Sequence, residues 1–575
     1  MVQNSEGLLG CPGAISTMLI AIEICLAAIC VPVALIWPRL GETWFTGIER
    51  RFGAFAQHRV WAVISVGLVA LGLRLALLPI LPIPQPEVSD EFSYLLQADT
   101  FSHGRLANPT HPMWVHFETF QENWRPTYAS MYYPGYGAFV ALGQVLMHHP
   151  FWGVWVSSGL MCAAICWALQ GWLPPGWALI GGLLAVARLG SFSYWVDSYW
   201  GGTVTALGGA LVLGALPRIK STTRVRDSAL LGVGMALLAY TRPYEGLFFC
   251  VPVLVALAWW TKRGQASLAR LTSSVVVPFA AVMFVATAWL GYYFYRVTGS
   301  PFTTPYQINM RTYGLMYFPW EHARNLTFHH AEMQAFYAGG SVAGWHSAAR
   351  EHPLRLQALK AVVVWLFYFG PILTLPCLTW LFSRPRGRLG KSFTPELKFL
   401  LLLCTFTYFS CILTIYIGQP HYVAMLTAAF YAIILLMMRQ MYESGALKFL
   451  ARAVPVVCFG LLAFRIAAPF LHLEPKPSWI RTWSSQDEQN LERARVLNQL
   501  RLTPGKHLVI VRYKPGHDFI LDEWVYNNAD IDQSQVIWAR DMGPQNAELV
   551  NYFHDRRVWL AEPDYSPARV SPYGQ

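Results

Sequence analysis

Apolar runs long enough to cross a bilayer recur along the whole chain, and short clusters of Lys and Arg lie between them. That alternation leaves few folds open. In hydrocarbon every backbone N–H and C=O must be satisfied within its own segment, so runs of this length are expected to be helices. Ala14 to Trp37 is the first; Met1 to Gly13 before it holds no Lys or Arg, so it is expected to be an uncleaved span with its amino end outside. The next loop carries Arg39, Arg50, Arg51 and Arg59, which assigns it to the cytoplasm and sends the second run, Val60 to Pro82, outward.

The later runs obey the same rule. They return each time to basic loops: Pro217-Arg218-Ile219-Lys220 with Arg224 and Arg226, then Lys262, Arg263 and Arg270, then Arg384, Arg386, Arg388 and Lys391, then Arg439 and Lys448. About twelve spans are expected, with Leu356 to Leu381 as one of them and Tyr136 to Met147 only dipping into the outer leaflet. Composition agrees: 54% hydrophobic and 13% charged residues leave too little polar surface for a soluble protein of 575 residues. The net charge of +11 sits in the inter-span loops, which excludes a nucleic-acid binder. Most cysteines fall inside apolar runs and read as small buried hydrophobes, with no disulfide or zinc spacing.

The fold class expected is therefore a mainly α, polytopic helical membrane protein with large outer loops and a small C-terminal α/β domain. Residues 1–58 form an extra first span and loop, 59–472 the membrane domain with outer loops 84–149 and 299–355, and 473–575 the outer tail. In that tail His507 to Tyr513, Gln535 to Ala539 and Arg557 to Leu560 read as buried strands, and Gln486 to Leu500 and Asn546 to Phe553 as helices.

The chemistry is concentrated in the first outer loop. Directly after the second span comes Ser89-Asp90-Glu91-Phe92-Ser93-Tyr94, where Ser89 or Asp90 is expected to cap a short helix ended by His103-Gly104. Two carboxylates in a first helical turn at a membrane exit make a candidate base. Outside the membrane there is no nucleotide pool, so a transferase there would draw on a lipid carrier. Sugar transfer from a lipid phosphate needs a carboxylate for the acceptor proton, cationic groups for the departing phosphate, and a greasy groove. Arg242, Arg311 and His421 are candidate phosphate ligands at outer faces, and Arg125 is a further basic candidate in the first loop. Arg242 and Glu245, three residues apart, equally suit a local ion pair, and His421 after Gln419-Pro420 a local cap.

The chain resembles the GT-C superfamily of integral membrane glycosyltransferases, especially the branch with the protein O-mannosyltransferases and the bacterial lipid A aminoarabinose transferases. The matching residues are Asp90-Glu91-Phe92-Ser93-Tyr94, Ala98 and Gly104-Arg105-Leu106, then Tyr132-Tyr133-Pro134-Gly135 before a juxtamembrane helix, and Thr241-Arg242-Pro243. The resemblance implies a polyprenyl-phosphate sugar donor, a glycan, lipid or protein acceptor, inversion at the anomeric centre, and residence in a bacterial inner membrane. It implies Asp90 as general base with Glu91 supporting it, Asp197 on the next outer loop as a second acid, and Tyr94, Tyr133 and Glu245 as substrate contacts. No cofactor is expected, although a divalent cation at Asp90 stays open. His322, His329, His330 and Glu332 read as surface residues rather than metal ligands. Two other classes remain: a transporter or flippase of envelope lipids, with Arg188, Arg242 and Arg296 along a path, and a non-catalytic envelope assembly scaffold.

Overall fold

The computed structural model describes residues 14–263, 267–322, 324–339, 341–382, 394–415, 418–445, 447–473, 480–485 and 489–574. The expected basic cluster at Arg384, Arg386, Arg388 and Lys391 lies outside these. Among the described residues eight helices are long and apolar enough to cross a membrane, or nine if one bent pair counts as a single span. The chain is a multi-pass membrane protein. The count of about twelve is not reached by this measure, because Pro175–Arg188 is short, at 14 residues, and Thr203–Thr222 and Val225–Thr241 fall outside the eight.

The bent pair falls on the span expected over Leu356 to Leu381, which is not one straight helix. Pro353–Tyr368 and Gly370–Phe382 meet at 96°. Gly370 stands at the break with φ +57°, and a Cβ there would come within 2.9 Å of the Glu23 carboxylate and 3.1 Å of Arg188. Only glycine suits both the left-handed backbone and the close approach. Glu23 in turn accepts the Ile372 N–H at 3.0 Å and pairs with the Arg188 guanidinium at 2.5 Å. This buried pair seals the break rather than lining a path, and Arg296 is exposed on its own helix beside Tyr292. The three arginines of a transport path therefore do not share one cavity.

Beyond the Arg59–Ala76 helix, residues 84–149 form the helix Ser89–Ser102, a two-stranded ribbon of β1 (Glu122–Asn123) and β2 (Ala129–Ser130), and the helix Pro134–Met147. The tail is α/β as expected. Strands β3 (His507–Val511), β4 (Val536–Arg540), β5 (Arg557–Glu562) and β6 (Arg569–Pro572) lie in the order β4-β3-β5-β6. β3 pairs parallel with both neighbours, and β6, which the sequence did not indicate, adds antiparallel to β5.

The tail does not pack as a free module. Leu96, Phe117, Trp124 and Tyr128 of the first loop share one apolar core with Leu508, Ile537, Leu549 and Phe553 of the tail. Phe92 stacks on Tyr526 with ring centroids 4.1 Å apart, and the Asp99 carboxylate accepts the Ala529 N–H at 2.8 Å. Burying these aromatic faces contributes about 1.5–3 kcal/mol for each large side chain.

Candidate active site

Val88, not Ser89 or Asp90, is the cap of the Ser89–Ser102 helix, and the Glu91 side chain reaches back to the backbone N–H groups at and just ahead of it. One Glu91 oxygen accepts the N–H groups of Glu87 at 2.9 Å and Val88 at 3.3 Å, and the other accepts the Tyr199 N–H at 2.8 Å. The side chain is buried, at 1% exposure, so this carboxylate ties the helix start to the segment around Tyr199. Asp90, one residue earlier, is turned the other way.

Asp90 keeps an edge open to a cavity of about 160 Å³ lined also by Gln121, Tyr132, Trp200, Tyr306 and Tyr422. Tyr132 donates its phenol proton to the Asp90 carboxylate at 2.6 Å and lies 2.9 Å from the Gln121 side-chain oxygen. Burial pushes the Asp90 carboxyl above the ordinary carboxylate range, against the opposing pull of the Tyr132 phenol, the Arg242 charge and Gln121. Burial and the neighbouring Asp90 charge push the Tyr132 phenol up as well, which keeps it a proton donor.

The loop that presents Tyr132 is fixed by small polar contacts. Ser93 bonds the Gln121 carbonyl and the Ser130 hydroxyl, each at 2.7 Å, and Ser130 accepts the Tyr132 N–H at 3.1 Å. Gln121 itself has φ +58°, a left-handed backbone rare for such a residue, and its N–H reaches the Tyr337 hydroxyl at 3.0 Å. Strain of this kind gathers where function requires a set geometry.

Tyr-Pro-Gly has a physical reason. Pro134 starts a helix at a position where no N–H is needed. A Cβ on Gly135 would strike the Tyr240 carbonyl and the Thr241 side chain at 2.8 Å, so only glycine lets this helix meet the chain just ahead of Arg242. Arg242 packs over the Tyr422 ring at 4.2 Å and lies 3.9 Å from the Glu245 carboxylate, which also accepts the Tyr317 hydroxyl at 3.2 Å. Arg242, Glu245 and Tyr317 line a second cavity of about 360 Å³ together with Tyr94, Tyr133 and Phe318. Tyr132 and Tyr306 line both cavities, so the two adjoin. Tyr94 stacks on Tyr132 at 4.5 Å, which fixes the ring between them.

The structure thus brings Asp90, Tyr94, Tyr133, Arg242 and Glu245 around one pair of cavities. It does not bring Asp197 there. That side chain is fully buried against Arg74, with a closest approach of 3.4 Å between two groups of 0% exposure. Arg125 is exposed over Trp114, and Arg311 is exposed on the helix Pro305–Tyr313; neither lines either cavity. His421 is buried and lines neither cavity; the Tyr194 hydroxyl lies 2.8 Å from its Nδ1 and Trp200, which lines the first cavity, packs on its ring.

Glu91 gives both oxygens to backbone N–H groups, Asp90 holds Tyr132, and Asp197 faces Arg74, so the three acids do not gather as cation ligands. Among the described residues no group of three His, Cys, Asp or Glu side chains is arranged to hold a metal ion. His329 and His330 lie 3.0 and 3.7 Å from Glu118, and burial holds the His330 imidazole down at about 4, a neutral ring.

Several residues at the cavities carried no signal of their own. Tyr132 is legible only as part of the Tyr-Tyr-Pro-Gly motif. Gln121, Tyr306 and Tyr422 had none, and Ile520 reaches the first cavity from the tail.

No family model matches the chain, and no curated protein matches it. Solved structures do show likeness. ArnT from Cupriavidus metallidurans in the apo state is 13% identical with a TM-score of 0.46, over 88% of this chain and 93% of that one. The Archaeoglobus fulgidus oligosaccharyltransferase in its apo form is 10% identical with a TM-score of 0.42 over 79% of this chain, which spans 62% of its length. The same archaeal enzyme, AglB, in complex with an inhibitory peptide and a dolichol-phosphate, is 11% identical with a TM-score of 0.43, over 88% of this chain and 70% of that one.

Proposed function

We propose that this protein is a membrane glycosyltransferase of the GT-C kind, which moves a sugar from a polyprenyl-phosphate carrier to an envelope acceptor on the extracytoplasmic face of a bacterial inner membrane. The observation that carries this reading is the convergence of three motifs far apart in sequence. Asp90, the Tyr132-Tyr133-Pro134-Gly135 turn and Arg242 meet at two adjoining cavities, one presenting a carboxylate and the other a guanidinium.

In this reading the carrier phosphate docks in the cavity of Arg242, whose outer wall of Tyr244, Met310 and Phe318 suits an isoprenoid chain. The acceptor enters the cavity of Asp90, between Trp345 of the second outer loop and Ile520 of the tail. Asp90 takes the acceptor hydroxyl proton as its oxygen attacks the anomeric carbon, and the electron pair of the breaking bond leaves on the phosphate. Arg242 stabilises that charge as it develops. Tyr132 orients the base, and Glu91 holds the helix that carries it. Asp197 is read as a structural acid that pairs Arg74.

Attack from one cavity on a leaving group held in the other is, in this reading, a single displacement. The anomeric configuration of the product, read by NMR against that of the donor, tests it. Inversion is expected, and retention would refute the mechanism.

A further inference from the structure

A third cavity, of about 1,050 Å³, lies at the opposite end of the bundle from Asp90. It opens between the helices Thr203–Thr222, Pro243–Arg263, Pro395–Ile412 and Thr427–Ser444. Its lining is graded along the helices. Lys220, Lys398 and Arg439 stand at the helix ends, with Glu396 the one acid among the lining residues, and below them come Trp260, Leu402 and Phe406. The Lys220 ammonium rests 4.4 Å from the Trp260 ring centre, and Arg439 shares the Glu443 carboxylate at 2.7 Å. The groove faces sideways: Val255 and Leu402 are 63% and 65% exposed.

Two magnitudes identify the occupant. Along its helix the lining runs from Pro395 to Phe406, which at ~1.5 Å per residue is about 16 Å, half of a hydrocarbon core of about 30 Å. One leaflet's acyl chain fits that length, whereas a polyprenyl chain would overrun it. The charge at the mouth is positive, and Arg218, Arg270 and Lys262 stand at the same helix ends. Such an end faces the cytoplasm, whose leaflet carries the anionic lipids.

We propose that this groove binds one anionic phospholipid of the cytoplasmic leaflet, its phosphate at Lys220, Lys398 and Arg439 and an acyl chain along Trp260, Leu402 and Phe406. The lipid fills the notch between the Pro243–Arg263 and Thr427–Ser444 helices. Both helices also carry the other cavities, through Glu245 at one start and Tyr422 just ahead of the other. The inference rests on membrane orientation and not on the glycosyltransferase reading.

The test is native mass spectrometry of the whole protein, exchanged into mixed micelles of phosphatidylglycerol and phosphatidylcholine with identical chains. The wild type should retain phosphatidylglycerol with up to about a hundredfold preference from three basic side chains. The triple variant Lys220→Gln, Lys398→Gln, Arg439→Gln should lose that preference. Ala256→Trp, which fills the groove and keeps the charges, should lower retention of both lipids. Equal retention of the two lipids by the wild type would overturn the proposal, as would a preference that survives the triple substitution. Should the triple variant not fold, undiminished retention by Ala256→Trp would overturn it equally.

Discussion

Replacing Glu91 by Gln should lower the melting temperature of the protein, whereas replacing its neighbour Asp90 by Asn should not. Glu91 is 1% exposed and accepts three backbone N–H groups, two on one oxygen and one on the other. Gln has one acceptor oxygen. Placed to keep Glu87 and Val88, it would turn its NH2 toward the Tyr199 N–H, donor against donor. That loses one hydrogen bond to a charged group and strands a buried donor, a cost of about 2–3 kcal/mol. Asp90, by contrast, is held above the ordinary carboxylate range by burial, so folding already favours its neutral form. Asn keeps an oxygen for the Tyr132 hydroxyl and removes a charge that the site resists. Thermal unfolding in one detergent, followed by the loss of monodisperse protein, compares the two directly. A melting temperature for Asp90→Asn as low as that for Glu91→Gln would refute this division of labour between adjacent acids.

Three further predictions depend on pH. Transfer should fall on the acid side of a limb raised above the ordinary carboxylate range, because Asp90 must be ionised to accept a proton. Tyr132→Phe removes a bond to the charged form worth about 1.5–3 kcal/mol, and should move that limb up by about one to two pH units. A pH–rate profile checks both, and an unmoved limb would contradict the positioning role. Glu122 is fully buried, and neither of its oxygens has a hydrogen-bond partner among the described residues. Burial, and after it the Glu523 charge, push its carboxyl well above the ordinary range. A group that binds its proton more tightly when folded contributes stability at low pH that is lost as pH rises toward its folded-state value. Glu122→Gln should therefore melt with a smaller drop between pH 5 and 8 than the wild type, and identical drops would show that Glu122 does not titrate there.

What the sequence conveyed depended on the range of the interaction. Helices crossing a bilayer are announced by their own residues, so the spans were legible, and the parallel strands of the tail declared themselves by short runs of Val, Ile and Leu. The exposed edge strand Arg569–Pro572 has no such run and was silent. The break at Gly370 depends on Glu23 and Arg188, which lie far away in sequence, so Leu356 to Leu381 looked continuous. At the site, Asp90, Tyr133 and Arg242 were visible because each sits in a local motif. Asp197 reads as a second acid from its place on the next loop, as the resemblance implies. Its partner, Arg74, sits within the Arg59–Ala76 span and gave no sign that the two meet. Ile520 is ordinary in sequence and reaches the cavity only because the tail shares a core with the first loop.

The role of Asp90 is tested most directly by sugar transfer, or slow donor hydrolysis, from a panel of polyprenyl-phosphate sugars, with wild type and Asp90→Asn side by side. If Asp90 is the base, wild type consumes one donor and the variant, still folded, is at least about a hundredfold slower. A variant that matches the wild type would remove Asp90 from the chemistry and with it the mechanism proposed for these cavities.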